Sequence, residues 1–237
     1  MQKMSFWKLH RVPEPEEMNE ADQVESYSSA AAARHLDRID DTFVDHMLRL
    51  FSDSRNRPAY PVWGLDIGTG PAQIPIKILL RIPQLRMIGI DRSSNMLARA
   101  RQDAMRAGTS DRLALVVADG HRLPFPDGFF SVVLCNSVLH HARDPVVLLQ
   151  EMVRVAKKNA PLLLRDLRRP SRLILPWHLW RHGRHYQGLM RKLFEDSVRA
   201  AYTREELEEF VRQSKASGLS TFLFRNAHLG IERRPQS

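Results

Sequence analysis

With 237 residues, 43% of them hydrophobic and 27% charged, the chain has the composition of one globular domain with a sizeable core, which excludes a disordered or fibrous chain. No run approaches the roughly 20 apolar residues of a membrane span, Met1 to Val12 lacks a signal-peptide pattern, and the single cysteine, Cys135, excludes an internal disulfide and paired Cys/His zinc sites. A cytoplasmic protein without a metal is therefore expected. The net charge of +9 is uneven: from Arg165 to Lys192, seven arginines and one lysine face Asp166 alone, which fits either an anionic partner or a solvated helix face.

In chain order, residues 1–61 read as an N-terminal helical cap, with Leu36, Ile39, Phe43, Met47 and Leu50 forming the apolar stripe of a helix from about Ala30 to Phe51. From Val62 short apolar runs alternate with segments of helical period, the pattern of a parallel sheet with crossover helices. Strands are predicted near Val62–Ile67, Arg86–Ile90, Leu113–Ala118, Phe130–Asn136, Pro161–Asp166, Ser220–Arg225 and His228–Glu232. Between them, Ile74, Ile78 and Ile82 mark one helix, Ser93 or Ser94 caps the next, and Asp144 with Pro145 opens a third. The rhythm lapses at 170–202, a basic and aromatic insertion. Residues 203–237 then supply a helix, opened by a Thr203/Glu206 capping box, and a hairpin. The fold class is α/β: a Rossmann-like, seven-stranded, mostly parallel sheet ending in an antiparallel pair, with helices on both faces.

Polar groups collect at four successive strand ends. Asp66, Ile67, Gly68, Thr69 and Gly70 carry the first strand into a helix, where glycines let backbone amides approach a ligand. A dinucleotide fingerprint would need glycine at 73, where the chain has Gln73. Asp91, about 20 residues past the loop, stands where an acid holds ribose hydroxyls. The third strand ends in Ala118, Asp119 and Gly120, the fourth in Asn136, Ser137, Val138, Leu139, His140 and His141. Taken singly, the glycines could serve only a tight turn and the acids only a helix cap; their coincidence is what points to a ligand.

These motifs, D-I-G-T-G, G-I-D, A-D-G, L-P-F-P-D-G-F-F-S-V-V and N-S-V-L-H-H, resemble those of the class I S-adenosylmethionine (SAM)-dependent methyltransferases, in particular the group that includes the ubiquinone and menaquinone C-methyltransferases. The resemblance covers about Trp63 to Arg169. It implies SAM across the strand tips, leaving as S-adenosylhomocysteine (SAH). The methionine part would lie near Asp66, Gly68, Thr69 and Gly70, with Asn136 offering backbone contact. Asp91 and the neighbouring Arg92 would lie by the ribose, Met96 by the adenine, and Asp119 with Gly120 at its exocyclic amine; Tyr27 would close over the ligand. Ala72 stands where the family often has glycine, and Ser131 where it often has an acid. The N-P-P-Y signature of planar-nitrogen methylation is replaced by Asn136, Ser137, Val138 and Leu139.

Methyl transfer is an in-line substitution that asks mainly for alignment and exclusion of water. Where the acceptor must lose a proton, His140 and His141 are the expected bases and Asp166 the next candidate; the alternatives are packing or capping for the histidines and an ion pair with Arg165, Arg168 or Arg169 for the aspartate. Trp177, Trp180, His182, His185 and Tyr186 of the insertion are expected to roof the acceptor, the alternative being an amphipathic docking surface. A small-molecule acceptor is the leading expectation, and DNA is not expected. An RNA- or anionic-lipid-directed enzyme and a non-catalytic SAM-binding partner are the competing readings.

Overall fold

The computed structural model describes Trp7 and residues 9–14, 30–52 and 62–234. Helix α1 (Ala30–Ser52) precedes β1 (Val62–Ile67), α2 (Gln73–Arg81), β2 (Leu85–Asp91), α3 (Ser94–Arg106), β3 (Leu113–Val117) and β4 (Val132–Asn136). A 3-10 turn (Leu139–His141), α4 (Pro145–Val155) and β5 (Leu162–Leu167) follow. The insertion forms α5 (Leu175–Gly183) and α6 (Gly188–Ala200), after which come α7 (Arg204–Ser214), β6 (Leu219–Phe224) and β7 (His228–Arg233).

The seven strands form one sheet in the order β3-β2-β1-β4-β5-β7-β6, with β7 antiparallel to both neighbours. The expected fold class is the observed one. Phe130, expected inside the fourth strand, instead makes an isolated bridge to Ala156 ahead of it. Strand residues alternate between two cores, as the two-residue period requires: Val133 and Cys135 pack with Leu148, Met152 and Leu207 of α4 and α7, while Val132 and Leu134 pack with α1, α2 and α3 through Phe43, Met47, Ile78 and Ala100. Burial raises the Cys135 thiol pKa well above its ordinary value, so it remains a packed, protonated side chain.

Three helices start at side-chain caps. Ser93 accepts from the Met96 amide, Asp144 from those of Val146 and Val147, and Thr203 and Glu206 form the reciprocal capping box. On one face Arg165 fastens α1 to the sheet. It donates to Thr42 Oγ1 at 2.8 Å and the Ile39 carbonyl at 2.9 Å and lies between the rings of Phe43 and Phe224. Burial pushes its pKa down to about 10, against the favourable charge of Asp40. The strand order reverses between β2-β1 and β1-β4, so the crevice at the carboxyl ends of these strands is where a ligand is expected in such a sheet.

Candidate active site

A cleft of about 470 Å³ opens there, within the range of small-molecule sites. Its walls come from the four loops singled out by sequence: Gly68 and Gly70 after β1, Asp91, Arg92 and Met96 after β2, Asp119 and Gly120 after β3, Ser137, Val138 and His141 after β4. Asp66, Thr69, Asn136, His140 and Asp166 are not among the lining residues, and Tyr27 lies outside the described residues.

The first loop is held open by its conformation. Gly68 has φ +67°, and a Cβ built on it would fall 2.3 Å from Val138 Cγ2; a side chain is excluded both by backbone strain and by the β4 loop. Ala72, which takes the place of a frequent glycine, adopts φ 60° before α2, and Ser137 has φ 58° at the β4 tip. Ser137 thus carries left-handed strain on the cleft wall and Ala72 carries it at the start of α2. Asp91 braces the same loop, accepting from the Gly70 amide at 2.8 Å and the Ser93 amide at 2.9 Å. One lone pair on each of its oxygens is left for a ligand.

The acids differ electrostatically. Asp66 is buried and accepts from Thr69 Oγ1 at 2.7 Å; burial pushes its pKa up to about 7, the Thr69 hydrogen bond opposing and Asp40 and Asp91 adding to the rise. It is a carboxylate short of positive charge. Burial also acts to raise Asp119, but hydrogen bonds from the His121 amide and ring, with the charges of His121 and Arg92, outweigh it and hold the group below its ordinary range. Asn136 is turned from the cleft: its Oδ1 accepts from Arg165 Nε at 3.3 Å.

Behind His141 lies an arrangement that only the fold reveals. Asp166 does not pair with its neighbouring arginines. Arg165 serves α1, Arg168 reaches the Asn226 carbonyl, and Arg169 binds Glu206 and the Ala201 carbonyl. The Asp166 carboxylate instead grips His140, with Oδ1 2.6 Å from ring Nδ1 and Oδ2 2.9 Å from the backbone amide. On the other side Glu14 Oε2 lies 3.8 Å from His140 Nε2 and 3.7 Å from His141 Nδ1, and it accepts from Ser197 Oγ at 3.1 Å. Arg11 anchors this N-terminal strap, donating to the Ala200 carbonyl at 2.6 Å and the His140 carbonyl at 2.8 Å, with its guanidinium 4.3 Å from the Tyr202 ring centre.

Burial would lower the His140 pKa, but Asp166 and then Glu14 outweigh it and hold the ring above its ordinary value. Burial would raise Asp166, and the charge and hydrogen bonds of His140 bring it below the ordinary carboxylate range. Glu14 is raised by its burial. Glu14, His140 and His141 place three metal-type donor atoms within 4.8 Å of one another. The Arg11 charge already acting on His140 favours a proton over a second cation there. Sequence reasoning missed Glu14 and Arg11, since neither belongs to a motif; the one local signal is the acid-rich run Glu14, Glu16, Glu17, Glu20, Asp22 and Glu25.

The family model described as a methyltransferase domain matches residues 65–164. Demethylmenaquinone methyltransferase of Porphyromonas gingivalis is 30% identical over 66% of this chain and 64% of its own length. Malonyl-[acyl-carrier protein] O-methyltransferase of Legionella pneumophila is 31% identical over 50% of this chain and 41% of its own. The chain thus spans less than two thirds of the length of these curated relatives. Among solved structures, the plantazolicin methyltransferase BamL in complex with a triazolic analogue and SAH superposes with a TM-score of 0.64 at 14% identity, covering 92% of this chain and 97% of that one. The [4+2]-cyclase SpnF superposes at 0.62 with 18% identity, over 92% and 76%.

The sheet order, the glycine loop and the strand-tip acids define a nucleoside-binding α/β protein of the methyltransferase fold. The family match spans residues 65–164, less than half of the chain, and makes that stretch a methyltransferase domain.

Proposed function

We propose that the protein transfers a methyl group from SAM to a small-molecule acceptor. The observation that carries this reading is one cleft bounded by Gly68 and Gly70, Asp91 and Asp119 from three successive strand ends. The chemistry agrees: Asp66, next to the cleft-lining Ile67, is a buried carboxylate at the first strand tip whose raised pKa, about 7, a cationic amino-acid head group would relieve. The relatives act on unlike acceptors, among them a demethylmenaquinone and a malonyl-carrier protein, so the acceptor is assigned only as a small molecule or small carried group.

In this reading Asp66, with the backbone around Gly68 and Thr69, holds the methionine end. Asp91, steadied by the Gly70 and Ser93 amides, accepts from the ribose hydroxyls, with Arg92 alongside. Met96 packs against the adenine, whose amine Asp119 accepts beside Gly120, and Asn136 contributes through its backbone. Bound SAM supplies an electrophilic methyl on a sulfonium. The protein's own work is alignment, exclusion of water and, for an acidic O–H, N–H or C–H acceptor, removal of a proton. His141, on the cleft wall, takes that proton, and Glu14 beside its Nδ1 stabilises the resulting imidazolium. His140 and Asp166 act through others: the pair fixes the turn that carries His141 and the imidazole that faces Glu14.

Incubation with methyl-labelled SAM and fractionated cell extract tests the proposal. Label in a small-molecule fraction, lost in Asp91→Ala, is the expected result. Titration calorimetry showing no heat with either SAM or SAH would overturn it.

A further inference from the structure

The insertion helix α5 is built inside out for a helix facing only water. Its inward residues are Leu175, His178, Leu179 and Gly183, whereas Trp177 and Trp180, one turn apart, are 56% and 61% exposed, and Leu173 just before the helix is 67% exposed. Ile174 continues this surface, and the exposed Trp7 joins it through its carbonyl, which accepts from the Arg172 amide at 3.1 Å. Neither tryptophan is among the residues lining the cleft; Tyr186 is buried and His182 half-buried. Leaving three indoles and two branched aliphatic side chains in water on one side of a molecule is unfavourable unless something covers them.

Charge identifies the cover. From Leu167 to Phe194 the sequence contains no aspartate or glutamate, and Arg172, Arg181, Arg184 and Lys192, on and beside α5 in the chain, are all exposed. Indoles and aliphatic tips amid arginines, on a short helix lying along the surface, match the interfacial zone of an anionic bilayer. There tryptophan settles at the headgroup level while each basic residue gains from the surface potential. RNA fits less well, since Leu173 and Ile174 offer no stacking surface or hydrogen bonds to bases. We infer that α5, with Trp7 and Leu173–Ile174, is a membrane-docking face that seats the protein on anionic lipid. No described helix is long and apolar enough to cross a membrane, so the attachment is peripheral. The inference does not depend on which acceptor, if any, is methylated.

Sedimentation with vesicles of phosphatidylcholine alone and of phosphatidylcholine with phosphatidylglycerol tests it on the full chain. Binding only to the anionic vesicles, weakening as salt rises, is expected. Trp177→Ser/Trp180→Ser and Arg181→Glu/Arg184→Glu each weaken it by about tenfold or more, with an unchanged melting temperature and SAH affinity showing that the fold and cleft are intact. Equal partitioning of the wild-type chain to neutral and anionic vesicles, undiminished binding by both double variants, or displacement from anionic vesicles by RNA competing for the same residues would each overturn the inference.

Discussion

His140 and Asp166 are joined twice, ring nitrogen to Oδ1 at 2.6 Å and backbone amide to Oδ2 at 2.9 Å, so one buried carboxylate fixes both the position of the β4 turn and the orientation of its imidazole. This makes the pair a source of pH-dependent stability. The raised His140 contributes stability that is fully present below its unfolded pKa, about 6.5, and lost as pH rises through the folded value. The depressed Asp166 contributes stability present above its unfolded pKa, about 3.9, and lost as pH falls through the folded value. The pair's contribution therefore forms a plateau between about pH 4 and 6.5. Asp166→Asn is expected to lower stability by about 3 kcal/mol within that window and to flatten the profile, as read by urea unfolding at a series of pH values. An Asp166→Asn curve parallel to wild type at every pH would remove the pairing from the account.

Asp66 predicts how cofactor affinity depends on pH. With its pKa pushed up to about 7, the free protein must give up a proton before its carboxylate can meet a cationic group. SAM affinity should therefore fall as pH drops from about 7.5 to 5.5, approaching tenfold per unit once the group is protonated. Asp66→Asn should bind more weakly at pH 7.5 and lose most of that slope. Calorimetric titrations across the range decide it, a pH-independent wild-type affinity being the contrary result.

Gly68 faces two separate obstacles to substitution, its φ of +67° and the 2.3 Å approach to Val138 Cγ2. Gly68→Ala should cost about 2 kcal/mol and most of the SAH affinity. Adding Val138→Ala removes the clash but not the backbone strain, so it should restore part of both losses. Thermal melts and SAH titrations of the single and double variants separate the two terms; no recovery in the double variant would refute the steric one.

Glu14 ties the N-terminal strap to the histidine turn. Glu14→Gln should leave SAH affinity within about twofold while slowing methyl transfer by about 100-fold, the usual worth of a group supporting proton transfer. The comparison uses binding calorimetry beside incorporation of labelled methyl. Parallel loss of binding and turnover would assign Glu14 to the cofactor instead.

The sequence by itself determined the sheet and the loops that line the cleft, because both are written in local pattern. Two-residue and four-residue periods set β1 to β7 and their crossover helices, and short loops such as Gly68–Gly70 and Asp119–Gly120 carry their conformational demands in the residues themselves. Only the tertiary structure decided what surrounds the histidine turn. Glu14 meets His140 across 126 positions of chain, Asp166 chooses a histidine over three adjacent arginines, and Trp177 and Trp180 turn to solvent instead of inward. Each of these is a choice between partners or faces that are locally equivalent in charge or hydrophobicity. It is settled by which group the packed sheet brings within a few ångströms, and no period or motif records that distance.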